Sequence, residues 1–485
     1  MNIITKNIIA NYLGKLWGFV SIFIFVRFYI DLLGIEAYAI INFYTVILGL
    51  LVFADGGLTA TLTRELARDI PLTQKANLVH TFERLYVVVC LLIVVVIYFS
   101  ADLIANNFLE SKTYSTTQVA HYISLIGIGV GLQLFSTLYD GGLQGLQQQV
   151  ITNKIRITWS FFKSGVVLIP LYFAPKLEIF FWWQILCNFA VLIVYRKKLL
   201  SFISYANPLF STILLKSVSS YALGMMLIAF ISAINIQLDK LVTSKYLPLE
   251  IFGFYSVASI LSQIPVMVVS PIMIAVYPLL SNYVSTNNTL DINKLFHKYS
   301  LIISSIAIPL VICIALYSYS IIDVWTGKSD IAMQTENVVR VLVLGGGFLC
   351  LQLVPFYLGL ANGYTKINIF LGLISLMVIF PSIIYCIKNF GMIGATIPWF
   401  FVNFITFVVM SKIMITKFLP NQFNQWLFGA IIMPIILNSV IAILVEICFS
   451  GFDYKFLFIL KSVIIGIVSL IGSIGIYRKL YPRII

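Results

Sequence analysis

The sequence predicts an all-α integral membrane protein of about fourteen transmembrane helices, two parallel six-helix repeats followed by two additional C-terminal helices, with both termini cytoplasmic. Three observations predict it. Of the 485 residues, 60% are hydrophobic and 10% charged, with a mean hydropathy of +1.01, far from the roughly half-apolar, quarter-charged balance of water-soluble domains. Apolar windows of about 20 residues, each long enough to cross a hydrocarbon core of about 30 Å as a helix, recur along almost the whole chain. The chain also resembles itself at an offset of about 215 residues, as a duplicated helical unit would.

Breaks at charged, Pro, Gly and Asn clusters delimit the windows. The first, at about 9–31, follows Lys6 and contains Lys15. No small-x-small cleavage site follows it, so it is expected to remain as a helix rather than be removed as a signal peptide. The second (37–61) carries Asp55 before Gly56-Gly57, the third is 83–104, and the fourth (119–145) carries Asp140 before Gly141-Gly142. The fifth (157–174) holds Lys163 and Pro170, and the sixth (178–195) ends at Arg196-Lys197-Lys198. The seventh (218–244) holds Asp239-Lys240. The eighth to twelfth (251–280, 299–322, 338–361, 367–387 and 391–411) are each interrupted by proline, which suits a bundle that changes shape but occurs in static ones too. The last two are 427–449 and 457–477.

The distribution of basic residues tests this count, because a missed span would put later Lys and Arg residues on the wrong side. With the N-terminus cytoplasmic, inside segments hold 19 of the 31 Lys and Arg residues and outside loops hold six. The bias persists to the C-terminus and favours an even number of spans. It also accounts for most of the +13 net charge as topology charge beside anionic headgroups, which removes it as an argument for nucleic-acid binding. No connection exceeds about two dozen residues, which leaves no room for a soluble catalytic or receptor domain.

The six cysteines fall inside apolar windows without C-x-x-C spacing and read as packing residues. His80, His121 and His297 lie far apart near span ends, give no metal-ligand pattern, and are expected to be solvated loop residues.

The self-similarity runs in order. Glu36-Ala-Tyr-Ala39 matches Glu250-Ile-Phe-Gly253, Tyr139-x-Gly141-x-x-x-Gly145 matches Tyr357-x-Gly359-x-x-x-Gly363, and Trp182 with Asn188-Phe189 matches Trp399 with Asn403-Phe404. Six spans separate the copies, so both halves share one orientation and make a two-lobed bundle around a cavity. The expected division is 1–205, 206–415 and an added pair at 416–485.

Ionisable residues inside a membrane are costly and mark function or pairing. Arg27 and Asp239-Lys240 occupy comparable parts of the first and seventh helices, where two cations facing a cavity would hold a diphosphate; snorkelling of Arg27 and simple pairing of Lys240 with Asp239 is the alternative. Lys15 and Lys163 lie further inward, and Lys163 is the harder of the two to snorkel. Arg340 opens the tenth helix, as a ligand contact or an interfacial anchor. Asp55 and Asp140 are placed to exchange a proton or coordinate Na⁺, or equally to pair with a cation such as Arg64.

The segments Arg27-Phe-Tyr-Ile-Asp-Leu-Leu-Gly-Ile-Glu-Ala-Tyr-Ala39, Phe53-Ala-Asp-Gly-Gly-Leu-Thr-Ala-Thr-Leu-Thr-Arg-Glu-Leu-Ala67, Asp239-Lys-Leu-Val-Thr-Ser-Lys-Tyr-Leu247 and Leu360-Ala-Asn-Gly-Tyr-Thr-Lys366 resemble polysaccharide-biosynthesis flippases of the Wzx O-antigen type. The likeness spans the first twelve helices. It implies membership of the superfamily of multidrug and toxin extruders and lipid II flippases, with two lobes opening alternately to each side. It further implies a cargo, an undecaprenyl-diphosphate-linked oligosaccharide, carried across the bacterial inner membrane with H⁺ or Na⁺ as coupling ion and polysaccharide assembly proteins as further partners. Arg27, Lys163, Asp239, Lys240 and Arg340 would then hold the cargo, and Asp55 or Asp140 the ion. Family members commonly have twelve helices, so the last pair is a departure, of the kind lipid II flippases have. A multidrug extruder would want acidic cavity residues, and a membrane glycan polymerase or ligase a large outer loop. The P-loop pattern for ATP hydrolysis is missing, and neither enzymatic activity nor a cofactor is expected.

Overall fold

The computed structural model describes residues 3–55, 57–68, 70–203, 209–210, 212–364, 366–450 and 456–480. Every element among them is helical. That follows from the composition: in lipid a backbone N–H or C=O has no water to bond, and only a helix or a closed barrel pairs them internally. The chain divides into two compact units, residues 1–253 and 254–485.

In the first unit α1 (Ile3–Leu33) and α2 (Ile35–Leu51) are followed by a 3₁₀ turn (Val52–Asp55), α3 (Leu58–Ala67), α4 (Leu72–Phe108) and α5 (Thr116–Gly145). Then come α6 (Gln149–Ser160), a π-helical segment (Phe161–Val166), α7 (Leu168–Phe173), α8 (Leu177–Phe202), α9 (Thr212–Tyr246) and the start of α10 (Leu249–Ser262). Gly34, at φ 87°, makes the sharp joint between α1 and α2. The 37 residues of α4 amount to about 55 Å of helix, longer than a hydrocarbon core of about 30 Å is thick. Its middle presents Val88, Leu91, Leu92, Val95, Val96 and Phe99 outward, while Tyr86, Cys90, Ile93 and Ile97 pack inward. Buried positions of this unit hold polar groups such as Thr61, Thr152, Gln184 and Asn188. Apolar outside and partly polar inside is the pattern of a protein whose solvent is lipid.

Glycines bring α3 onto α5. A Cβ at Gly141 would lie 2.4 Å from Thr59 Cγ2, and one at Gly145 only 2.5 Å from the Thr63 carbonyl oxygen. Thr63 Oγ1 donates to the Gly141 carbonyl at 2.9 Å across the contact. The Asp-Gly-Gly run of the fourth span is therefore a small-residue packing surface.

The second unit continues α10 and adds α11 (Ile264–Ser285), α12 (Thr289–Leu316), α13 (Ser318–Thr326), α14 (Ser329–Leu351), α15 (Leu353–Ala361), α16 (Lys366–Gly394) and α17 (Ile397–Phe418). It ends with α18 (Phe423–Trp426), a π segment (Leu427–Ile432), α19 (Met433–Cys448) and α20 (Leu457–Leu480). Its core gathers Val269, Met273, Phe296, Ile303, Phe407 and Trp426. Trp426 is fully buried, with its indole donating to Ser300 Oγ at 3.1 Å. His297 is a correction to the sequence reading: it is buried, not solvated, and lies 3.0 Å from Gln422 Oε1. It sits about two helical turns inside α12, on the face turned toward Gln422 at the start of α18.

Eleven helical stretches among the described residues are long and apolar enough to cross a membrane. The three expected spans outside that set have separate reasons. The fifth is broken by the π segment, the seventh includes undescribed side chains, and the last is a shorter apolar helix at Leu457–Ser473.

Candidate functional site: a caged lysine

The break in the fifth span positions its charge. Residues Phe161–Val166 form a π-helical turn, a widened coil that releases backbone carbonyls from the ordinary helical ladder and recurs at functional sites. Three neighbouring carbonyls are bonded from elsewhere. The Trp183 indole donates to Phe162 O at 2.9 Å, Gln184 Nε2 to Lys163 O at 3.0 Å, and the Tyr29 hydroxyl to Ser164 O at 2.6 Å. The turn is thus clamped from α8 on one side and α1 on the other.

On that turn Lys163 is largely buried. Its ammonium donates to Gln133 Oε1 at 2.8 Å and lies over the rings of Trp159 and Tyr44, 4.6 and 5.1 Å from their centroids. The Tyr44 hydroxyl donates to the same Gln133 oxygen at 2.6 Å and accepts from Asn188 Nδ2 at 3.1 Å. Asn188 also donates to the Gly129 carbonyl at 2.9 Å, and a Cβ on Gly129 would crowd Tyr44 Cε2 at 3.1 Å. Helices α2, α5 and α8 thus each contribute one side chain to the cage. Among the described residues no carboxylate pairs with Lys163. A buried cation compensated by an amide oxygen and two aromatic faces keeps most of its charge available to an arriving anion.

The other candidates have partners. Arg27 Nε lies 3.7 Å from Asp31 on the exposed side of α1. Lys240 pairs with Asp239 at 3.5 Å, both side chains being less than 15% exposed, and Lys240 Nζ also reaches the Ile236 carbonyl. Arg340 is held by Glu336 at 3.0 Å, Asn337 at 2.9 Å and the Ala315 carbonyl at 3.3 Å. Within the first unit, the contacts described above join none of Arg27, Lys163 and Lys240 to another. The side chain of Lys15 lies outside the described residues, as does Gly56.

The two aspartates separate chemically. Asp140 Oδ2 accepts from Arg156 at 2.7 Å and from Gln144 at 3.0 Å; Arg156 of α6 takes the role considered for Arg64, which lies 4.0 Å from Glu65 instead. Asp55 has no cation partner among the described residues. Its carboxylate accepts the Thr59 backbone N–H at 3.2 Å and the Thr59 hydroxyl at 2.6 Å, and the Tyr86 hydroxyl lies 2.6 Å from Thr59 Oγ1. A short hydroxyl chain thereby leads from Tyr86 through Thr59 to Asp55.

The family model described as polysaccharide biosynthesis protein matches residues 4–284, more than half of the chain. The chain belongs to the polysaccharide biosynthesis protein family. A Shigella flexneri protein provisionally named as an O-antigen transporter is 22% identical over 373 residues, covering 76% of this chain and 87% of its own. Among solved structures, the lipid II flippase MurJ in an inward closed conformation aligns with TM-score 0.72 at 18% identity over 97% of this chain and 98% of its own. An inward-facing multidrug resistance transporter of the MATE family aligns with TM-score 0.67 at 13% identity over 84% of this chain and 94% of its own. The fold is therefore that of multi-pass membrane transporters and flippases.

For this family member the sequence flagged Lys163 but missed its cage. Gln133, Tyr44 and Asn188 are uncharged residues from three distant helices, and only the repeat match of Asn188 with Asn403 gave any signal. Glu446 and Lys461 were missed as well. Lys461 of α20 lies 2.8 Å from Glu446 of α19, and the Tyr317 hydroxyl at the end of α12 bonds the same carboxylate.

Proposed function

We propose that the chain is a flippase that carries an undecaprenyl-diphosphate-linked oligosaccharide across the bacterial cytoplasmic membrane by alternating access. The observation that carries this reading is the Lys163 cage, a membrane-buried cation with no carboxylate partner among the described residues, in a chain of the polysaccharide biosynthesis family. A diphosphate is the group such a cation would neutralise. The Asp239–Lys240 pair and Arg27 are further contacts for the cargo, with Arg340 a more distant one. Polar and aromatic side chains accommodate the glycan while the prenyl tail stays in lipid.

Fourteen spans with both termini cytoplasmic, in a 6+6+2 plan divided at 1–205, 206–415 and 416–485, complete the proposal. The basic-residue bias supports the orientation. Alignment over 97% of the chain with the lipid II flippase, against 84% with the multidrug transporter, supports counting the last two helices as part of the transport fold. Asp55, with its hydroxyl chain and no cation partner among the described residues, is the coupling site for H⁺ or Na⁺; the paired Asp140 is the lesser candidate. Polysaccharide assembly proteins are the expected partners in the membrane.

The reading predicts that cells lacking the protein accumulate lipid-linked oligosaccharide in the cytoplasmic leaflet and lose surface glycan. Proteoliposomes bearing the purified chain should expose that lipid to an external glycosidase. Export of organic cations without movement of the lipid-linked glycan would favour a multidrug extruder and sink the proposal.

A further inference from the structure

The first unit contains a second feature that the cage does not use. Between α6 with its π segment and α8 runs an apolar groove of about 600 Å³, within the roughly 300–1,000 Å³ usual for ligand sites. Two hydrogen bonds fix its register. The Tyr195 hydroxyl donates to the Thr152 carbonyl at 3.2 Å near one end, and the Trp183 indole to the Phe162 carbonyl at 2.9 Å near the other. Ten to twelve residues separate these ties, or about 15–18 Å of helix, close to half of a hydrocarbon core of about 30 Å. The groove is one leaflet deep.

Its ends differ in chemistry. Lys154 and Lys198 line it beside the Thr152–Tyr195 tie, exposed and without an ion pair among the described residues. Leu186, Ala190 and Val194 make the apolar wall, Trp159 lines the same trough, and Phe162 and Trp183 stand at the far end. Trp159 is also the ring over which Lys163 lies, so groove and cage share a wall. Two cations at the headgroup end of a trough one leaflet deep complement an anionic lipid. A prenyl lipid brings one chain to such a trough, whereas a glycerophospholipid brings two. Two lysines also match the two phosphates of a diphosphate better than the single phosphate of phosphatidylglycerol.

We infer that this groove is a docking site for a prenyl diphosphate, holding the tail along α6 and α8 and the diphosphate at Lys154 and Lys198 before the head passes to Lys163. The inference rests on the flippase reading for its cargo. In the orientation proposed above, the lysine end faces the cytoplasm, where the lipid is loaded.

Native mass spectrometry of the purified full chain tests it, with undecaprenyl diphosphate and phosphatidylglycerol as competing probes. The wild-type chain should retain the prenyl diphosphate at least tenfold over phosphatidylglycerol. A Lys154→Gln/Lys198→Gln double variant should lose that preference, and Ala190→Trp, which fills the trough from an exposed position, should lose retention of the tail. Equal retention of both lipids, or unchanged preference in both variants, overturns the inference. A parallel flipping assay separates the two ideas: if the wild type flips but the groove variants bind and flip normally, the groove fails alone. If groove binding behaves as expected while the wild type moves no lipid-linked glycan, the flippase reading fails alone.

Discussion

The Lys163 ammonium and the Tyr44 hydroxyl, on helices far apart in sequence, donate to one shared acceptor, Gln133 Oε1, at 2.8 and 2.6 Å. The amide oxygen carries no formal charge, so the pair orders the lysine without neutralising it. On the flippase reading proposed above, an incoming diphosphate would draw Lys163 away while Tyr44 keeps Gln133 bonded, leaving neither partner as a buried unsatisfied group.

The first prediction concerns that cation. Lys163→Gln should be made in normal amounts, because the cage then contains one more neutral polar group, yet should lower flipping by more than about tenfold. The expectation follows from the roughly 1.5–3 kcal/mol of a charge-assisted hydrogen bond to phosphate. Lys163→Arg should retain part of the activity, limited by the aromatic walls. Complementation of surface glycan, scored against membrane-embedded protein, measures it. Full complementation by Lys163→Gln would remove the cage from the mechanism.

How much of this was legible in sequence depended on whether the signal was local. Helical spans announce themselves because lipid leaves no alternative for the backbone, and Lys163 stood out because any charge in an apolar window does. The cage around it did not, since Gln133, Tyr44 and Asn188 become neighbours only when α5, α2 and α8 pack. The π turn was equally silent: Phe161-Phe-Lys-Ser-Gly-Val166 reads as ordinary helix, and its widening depends on Trp183, Gln184 and Tyr29 supplying donors from other elements. Charge alone also does not distinguish the basic residues. Arg27 and Lys163 are both cations in spans, but an aspartate four residues on engages one, and no carboxylate among the described residues engages the other.

The second prediction separates the two aspartates. Asp55→Asn keeps an oxygen to accept the Thr59 N–H, so the start of α3 should survive, but the neutral side chain can neither bind Na⁺ strongly nor release a proton. Transport into proteoliposomes should persist at a reduced rate and lose its dependence on an imposed pH or Na⁺ gradient. Asp140→Asn should retain whatever gradient dependence the wild type has. Transport by the wild type that ignores both gradients would eliminate the coupling role.

Removal of one member of the Asp140–Arg156 pair should act on stability. Asp140→Asn removes the negative charge that balances Arg156 at 2.7 Å where α5 meets α6, so thermal unfolding in detergent should shift down by several degrees. Arg156→Gln added to it should recover much of the loss, because the orphaned charge is what costs most. Additive losses in the double variant would contradict a coupled pair.

Packing of α3 on α5 supplies a fourth test. A side chain at Gly145 meets the Thr63 carbonyl oxygen at 2.5 Å, and backbone cannot turn aside as a flexible side-chain end does. Gly145→Val should cost on the order of 1–3 kcal/mol, seen as a lowered unfolding midpoint and reduced yield. Gly466→Ala in α20, where a Cβ meets nothing within 4 Å, should be neutral or stabilising by up to about 1 kcal/mol through helix propensity alone. Similar behaviour of the two variants would show that close approach does not govern the first.

The last prediction concerns how the terminal helix pair is fastened. Cys313 and Tyr317 pack with Ile441, Ala442, Val445 and Ile465 in an apolar cluster joining α12, α19 and α20. Beside it, Lys461 is only 12% exposed while its partner Glu446 is 40% exposed. Removing the carboxylate strands the more buried member, so Glu446→Leu should destabilise the chain. The cost should be on the order of 1–2 kcal/mol, below the roughly 3–5 kcal/mol of a fully enclosed pair because Glu446 keeps part of its solvation. Glu446→Leu combined with Lys461→Leu leaves no charge to strand and adds apolar contact against Phe458, so it should regain most of the loss. Unfolding midpoints of the two single variants and the double variant decide it: a double variant as unstable as Glu446→Leu alone would mean that the Tyr317 bond, not the ion pair, ties the added helices to α12.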